Sequence, residues 1–145
     1  PPHTAIYGAD GPAPAGPVAP FSEMRGRLSF PLTGRAEVLM PTVPSTEPEG
    51  LFLVATRDTA VRAVYPGRVA FVGDTQRGST VVIDHGEGYF SVYGQLNHIE
   101  VKADERVHER GRIGWVLRFG DKSPTLYFEI RRGKKLLDPA PWLGL

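Results

Sequence analysis

Beyond residue 50 the chain alternates apolar and polar side chains with a period of two, the pattern of strands buried on one face. The alternation is cleanest over residues 125–132, where Leu126, Phe128 and Ile130 share one face and Tyr127, Glu129 and Arg131 the other. Shorter runs rich in Val, Ile, Tyr and Phe occupy 51–55, 61–65, 68–72, 80–84, 89–96, 99–102 and 112–117. Turn formers separate them: Pro66-Gly67, His85-Gly-Glu-Gly88, Ala103-Asp-Glu-Arg106 and Glu109-Arg-Gly111. Helical periodicity is nearly absent, so the runs predict an all-β domain. Its strands form hairpins that close into an antiparallel sheet or sandwich to protect their edges.

The first 20 residues break this pattern. They are dominated by Pro, Gly and Ala with few periodic apolar positions, and read as a flexible linker ahead of a domain over 21–145. Between Gly34 and Gly50, Pro41, Pro44 and Pro48 punctuate what reads as one long loop. Trp115, Trp142 and Leu143 are expected in the core, with Pro139 and Pro141 forming a rigid C-terminal strap. No internal repeat is present.

Composition narrows the class without choosing a function. A chain of 145 residues, 41% hydrophobic and 23% charged, can bury a real core as one domain. The net charge of +1 gives no reason to expect nucleic acid as a partner. The absence of cysteine excludes disulfides, thiolate metal sites and thiol catalysis. No apolar run is long enough to cross a bilayer as a helix, and the chain opens on Pro1, as a piece of a longer protein would. Its histidines are His3, His85, His98 and His108. His3 falls in the linker and the others in or near turns, and Asp84 and His85 are adjacent on a strand end and face opposite ways. All four read as structural.

Several of these runs, in order, resemble the LytM domain of the M23 family, the zinc endopeptidases of peptidoglycan. The matching pieces are residues 59–69, 80–88, 92–96, 101–102 with 111–114, and 126–130, so the likeness covers roughly residues 27–145. The ending Leu126-Tyr-Phe-Glu-Ile-Arg-Arg132, followed by Asp138-Pro-Ala-Pro-Trp-Leu-Gly144, is most similar to the degenerate branch of EnvC-type amidase activators. Catalytic members carry a His-x-x-x-Asp, a His after a Tyr-x pair, and a His-x-His before Phe-Glu; these hold zinc and assist its bound water. Here Pro48 and Phe52, then Gln95, then Thr125 and Tyr127 stand at those positions, with Glu47 and Glu49 close enough for a one-residue shift to matter. These residue types do not rebuild a zinc site. The resemblance therefore implies no metal, no cofactor and no hydrolysis.

What remains is a groove. Tyr127, Phe52 and Arg131 are its expected anchors, Gln95, Thr125, Glu129 and Glu49 its lining, and Arg77 its rim; Glu129 pairing with Arg131 is the purely structural reading of that face. The resemblance implies capture of the autoinhibitory helix of an N-acetylmuramoyl-L-alanine amidase in this groove, in the periplasm or cell envelope during cell division and daughter-cell separation. It also admits contact with peptidoglycan, and docking to a divisome membrane complex through an upstream coiled coil. The alternative reading is a non-enzymatic module that binds peptidoglycan peptides directly.

Overall fold

A computed structural model describes residues 18–39 and 50–145. In chain order the elements are β1 (Ala36–Leu39), β2 (Leu51–Ala55), β3 (Thr59–Arg62), β4 (Gly67–Thr75), β5 (Gly78–Gly86), β6 (Tyr89–Leu96), β7 (His98–Ile99), β8 (Arg106–Val107), β9 (Arg112–Val116), β10 (Thr125–Arg132), β11 (Lys135–Leu137) and a one-turn helix α1 (Pro139–Trp142). The larger sheet runs β1-β2-β10-β6-β5-β4-β8, with β11 also on β10, and a smaller sheet runs β3-β9-β7. Every pairing within them is antiparallel. The all-β antiparallel fold is thus observed.

Strand β10 holds the larger sheet together because both its edges are occupied. Residues 127–132 pair with β6 on one side. On the other, Thr125 to Phe128 pair with β2, and Ile130 to Arg132 pair with β11. Leu126, Phe128 and Ile130 are fully buried in the core, beside Leu53, Val81, Ile83 and Tyr93. Most of its other face is covered as well, since Tyr127 and Glu129 are also buried, while Arg131 stays partly exposed. Amphipathic alternation predicts an open outer face for this strand. A central strand flanked on both edges can instead be covered from above, and here it is.

Three other expectations change. The stretch read as one loop contains β1, a short edge strand whose register sets Ala36 opposite Ala55 and Leu39 opposite Phe52. Its four residues include Ala and Glu, too little β propensity to stand out from the flanking Gly and Pro. The C-terminal strap is a helical turn, started by Pro139 at its first position and by the Asp138 carboxylate, which accepts from Ala140 N–H at 3.2 Å. That turn brings Trp142 against Phe21, with ring centroids 5.1 Å apart, and Gly26 N–H donates to Trp142 O at 3.0 Å. Trp115, expected in the core, is only half-buried. It sits on β9 opposite Ala60 and His98, in a sheet too small to be covered on both faces. Residues 1–17 of the expected linker lie outside the described residues; of the rest, Ala19 O accepts from Tyr65 Oη at 2.5 Å.

His85 is structural, as expected, and lies within β5 rather than in a turn. Its Nδ1–H donates to Pro66 O at 2.8 Å, which leaves Nε2 to accept from Ser91 Oγ at 2.7 Å. Ser91 is in turn hydrogen-bonded to the buried Tyr93 hydroxyl, which accepts from Val64 N–H at 3.0 Å. Phe21 stacks on the imidazole at 4.6 Å. Burial holds the His85 pKa down to about 4, against weaker upward pulls from the Pro66 carbonyl and Asp84. Burial likewise raises the Tyr93 phenol above its ordinary range.

Candidate functional site

The face of β10 that carries Tyr127, Glu129 and Arg131 opens onto a cavity of ≈ 660 Å³. That volume lies within the range of ligand pockets, about 300–1,000 Å³. Its apolar floor comes from Val82 on β5, Phe90 and Val92 on β6, and Leu136 on β11. Thr75, Gln76 and Arg77, at the tip of the β4–β5 hairpin, close one end.

The charged residues form one connected set. Tyr127 Oη donates a short hydrogen bond to Glu129 Oε2. Arg131 Nε donates to Glu129 Oε1 at 2.8 Å and its Nη1 to Lys134 O at 3.3 Å. The Glu129 carboxylate, only 5% exposed, therefore has a partner on each oxygen, as a buried charge requires. The Tyr127 pKa is raised, first by burial and then by its bond to Glu129, and less strongly lowered by Arg77 and Arg131.

Arg77 closes the set from above. Its guanidinium carbon lies 4.1 Å from the centroid of the Tyr127 ring, a cation–π contact. Its backbone is fixed at both ends: Arg77 N–H donates to Thr75 Oγ1 at 2.9 Å, and Arg77 O accepts from Gln95 N–H at 2.6 Å. Gly94 makes that approach possible, because a Cβ there would stand 3.0 Å from both Arg77 Cβ and Arg77 O. Gly50 has the same role on the far side, where a Cβ would meet Tyr127 Oη at 2.5 Å. Tyr127 is consequently 1% exposed. It is a covered floor rather than an open anchor.

Of the residues expected to form the site, Arg77, Tyr127, Glu129 and Arg131 line this one cavity. Phe52 packs on Tyr127 from the neighbouring strand at 5.2 Å between centroids. Gln95 supports Arg77 through its backbone at φ 62°, a left-handed conformation uncommon outside glycine. Thr125 is half-buried, donates to Ser123 O and does not line the cavity. Pro48 and Glu49 lie outside the described residues. The apolar floor was not expected from the sequence, although Val81-Val82-Ile83 does not alternate and so signals a strand with two covered faces.

These side chains do not fit zinc. Phe52 has no lone pair, the Thr125 hydroxyl is used on a carbonyl, and Tyr127 keeps a proton committed to Glu129 at any physiological pH. Among the described residues, no three His, Cys, Asp or Glu side chains are grouped to hold a metal ion.

The sequence profile of peptidase family M23 matches residues 46–139. The murein hydrolase activator EnvC of Escherichia coli is 37% identical over 98 residues, covering 66% of this chain and 23% of EnvC. The murein hydrolase activator NlpD of the same organism is 28% identical over 97 residues, covering 66% of this chain and 26% of NlpD. Among solved structures, a peptidase M23 protein from Pseudomonas aeruginosa superposes with a TM-score of 0.68 at 27% identity, over 91% of this chain and 54% of that one. The chain thus spans about a quarter of the curated activators it matches.

Proposed function

This chain belongs to peptidase family M23, and we propose that it is a non-catalytic member that binds and activates a peptidoglycan N-acetylmuramoyl-L-alanine amidase. In this reading the groove along β10 captures the amidase's inhibitory helix, and any metal belongs to the partner. One observation carries it: around Tyr127, a position where the family resemblance expects a histidine, β10 and the tip of the β4–β5 hairpin bring together the self-satisfied set Arg77, Tyr127, Glu129 and Arg131 above an apolar floor. Such a surface has no nucleophile to activate but suits an amphipathic helix, with apolar residues on Val82, Phe90, Val92 and Leu136 and acidic ones toward the two arginines. The activator names of EnvC and NlpD support the same role, and with it a place in the cell envelope.

Energetically the groove must outbid the amidase's own active site for the helix. Moving an enzyme from 1% to 99% open takes about 5.5 kcal/mol of differential affinity. A few well-buried anchors, worth about 2 kcal/mol each when truncated, reach that scale before the cost of ordering the helix is subtracted.

The test is dye release from labelled murein sacculi by candidate amidases of the same organism, with and without this chain. Faster release is expected, and less of it with Leu136→Glu, at a partly exposed position of the floor whose change spares both the core and the partners of Glu129. Tyr127→Ala is a poorer probe, because it would empty a buried site and strip Glu129 of a partner. Release no faster with the chain than without it, for every amidase tried, would end this reading.

A further inference from the structure

Between β9, which ends at Val116, and β10, which begins at Thr125, the chain makes a turn whose end carries Phe119. That ring is 80% exposed, more than any other large hydrophobic side chain among the described residues, and Leu117 beside it is exposed too. The turn is braced. Phe119 and Lys122 exchange backbone hydrogen bonds at 3.0 Å in both directions, around Gly120 at φ 59°. Below them Leu117 N–H donates to Asn97 Oδ1 at 2.7 Å, Arg118 N–H to Asp58 Oδ1 at 2.6 Å, and Ala55 N–H to Pro124 O at 2.8 Å. One exposed ring needs no explanation by itself, but the charge around this one does.

Arg118 and Lys122 flank the ring in sequence. Arg118 also donates from Nη2 to Thr56 O at 3.3 Å, which ties the tip to the turn that carries Arg57. Arg57 in turn shares a cavity of ≈ 530 Å³ with Arg35, Arg62 and the half-buried Trp115. Only two carboxylates, Asp58 and Asp121, stand against these five cations, and Asp58 already accepts from Arg118 N–H. In a chain of net charge +1 the remainder is therefore net negative. Arg35, Arg57 and Lys122 are exposed, and among the described residues their side chains have neither a hydrogen bond nor an ion pair.

We propose that this tip is a docking surface for an anionic phospholipid bilayer, with Phe119 entering at the acyl boundary and Arg35, Arg57 and Lys122 meeting lipid phosphates. A lone ring on a turn is too small an anchor for a protein interface, which buries about 1,000 Å² or more. A fluid bilayer closes around one ring without a matching pocket, and its negative surface attracts the unpaired cations. Apolar insertion and a basic patch are each weak alone, and together they give reversible attachment. Along β10 the groove residues Tyr127, Glu129 and Arg131 follow at about 7–20 Å from Thr125, so a domain seated on its tip keeps the groove clear of lipid. The contact borrows the envelope setting of the proposed function but not the amidase.

The test is co-sedimentation of the full 145-residue chain with vesicles of equal parts phosphatidylglycerol and phosphatidylcholine, against pure phosphatidylcholine. Binding to the anionic vesicles is expected, weaker as salt rises. Phe119→Ser should weaken it about tenfold by removing the inserted ring. Arg35→Glu/Arg57→Glu should weaken it at least about tenfold, by reversing two charges at a negative surface. All three residues are exposed, so unchanged melting temperatures will certify the fold. Lys134→Glu/Lys135→Glu is an equal charge reversal in the β10–β11 hairpin, which exposes no large hydrophobic side chain, and should bind as the parent does. In Phe119→Trp the added emission should shift to the blue on anionic vesicles and be quenched by brominated acyl chains. The proposal is overturned by parent binding that is absent or equal on pure phosphatidylcholine, by undiminished binding in Phe119→Ser or the double arginine variant, by an equal loss in the lysine variant, or by an indole at position 119 that brominated lipid does not quench. A tip that ignores vesicles would point to a protein partner instead. Because the readout is lipid binding, failed amidase stimulation leaves the proposal standing, and its own failure leaves the amidase reading standing.

Discussion

His85 should make this domain acid-sensitive in a defined window. In the fold its imidazole titrates at about 4, against an ordinary value of 6.5, because it is buried under Phe21 and this burial outweighs the upward pulls of the Pro66 carbonyl and Asp84. The unfolded chain therefore takes up a proton that the folded chain refuses, and falling pH favours unfolding. The contribution is complete above pH 6.5, declines below it, and is exhausted below about 4. The gap corresponds to about 3 kcal/mol, of which about 2 kcal/mol should be gone by about pH 5. With a urea slope of about 2 kcal/mol per molar, that is a fall of about 1 M in the unfolding midpoint between neutral pH and pH 5. The control is His85→Gln, which keeps a polar side chain in the pocket but cannot titrate. It will be less stable at neutral pH, yet its midpoint should fall distinctly less over the same interval. All other titrating groups are common to the two proteins, so parallel declines would refute the assignment of this acid sensitivity to His85.

Three further outcomes test the groove. Gly50→Ala places a methyl 2.5 Å from Tyr127 Oη, under a ring already confined by Gly94 and Arg77, and should cost about 1–3 kcal/mol in thermal or urea unfolding. Glu129→Gln replaces the carboxylate shared by Tyr127 and Arg131 with an amide of the same size, and should lower stability by about 1–3 kcal/mol, read as a drop in urea midpoint. Arg77→Ala lifts the cover from Tyr127 with a stability change within about 1 kcal/mol, and hydroxyl-radical footprinting should then show faster oxidation at Tyr127. An unchanged oxidation rate would mean that Arg77 does not shield the ring.

The larger sheet was legible because its strands alternate or run continuously apolar between Gly, Pro and Asp turns. β2, β6 and β10 match the residues expected for them, 51–55, 89–96 and 125–132. β1 was missed because only Val38 of its four residues has strong β propensity, and pairing with β2 supplies what local preference does not. At the site, period-two spacing on β10 correctly grouped Tyr127, Glu129 and Arg131. Arg77 was placed on the rim, but its position over Tyr127 depends on Gly94 lying close beneath it across the sheet, which no spacing in sequence encodes. Trp115 illustrates the same limit: hydrophobicity alone does not distinguish a core position from a cavity wall in a small sheet.

The meeting of Phe21 with Trp142 also bears on how the domain comes apart. These rings lie near opposite ends of the described chain, and between them they gather His85, Tyr89 and the Gly26–Trp142 hydrogen bond into one closure. A contact spanning so much sequence is entropically expensive to close before the sheet exists, so it belongs on the native side of the folding barrier. Weakening it should leave the folding rate nearly untouched and speed unfolding. The clasp thereby sets the lifetime of the folded domain rather than the pace of its assembly, and so how long each folded molecule keeps its groove intact.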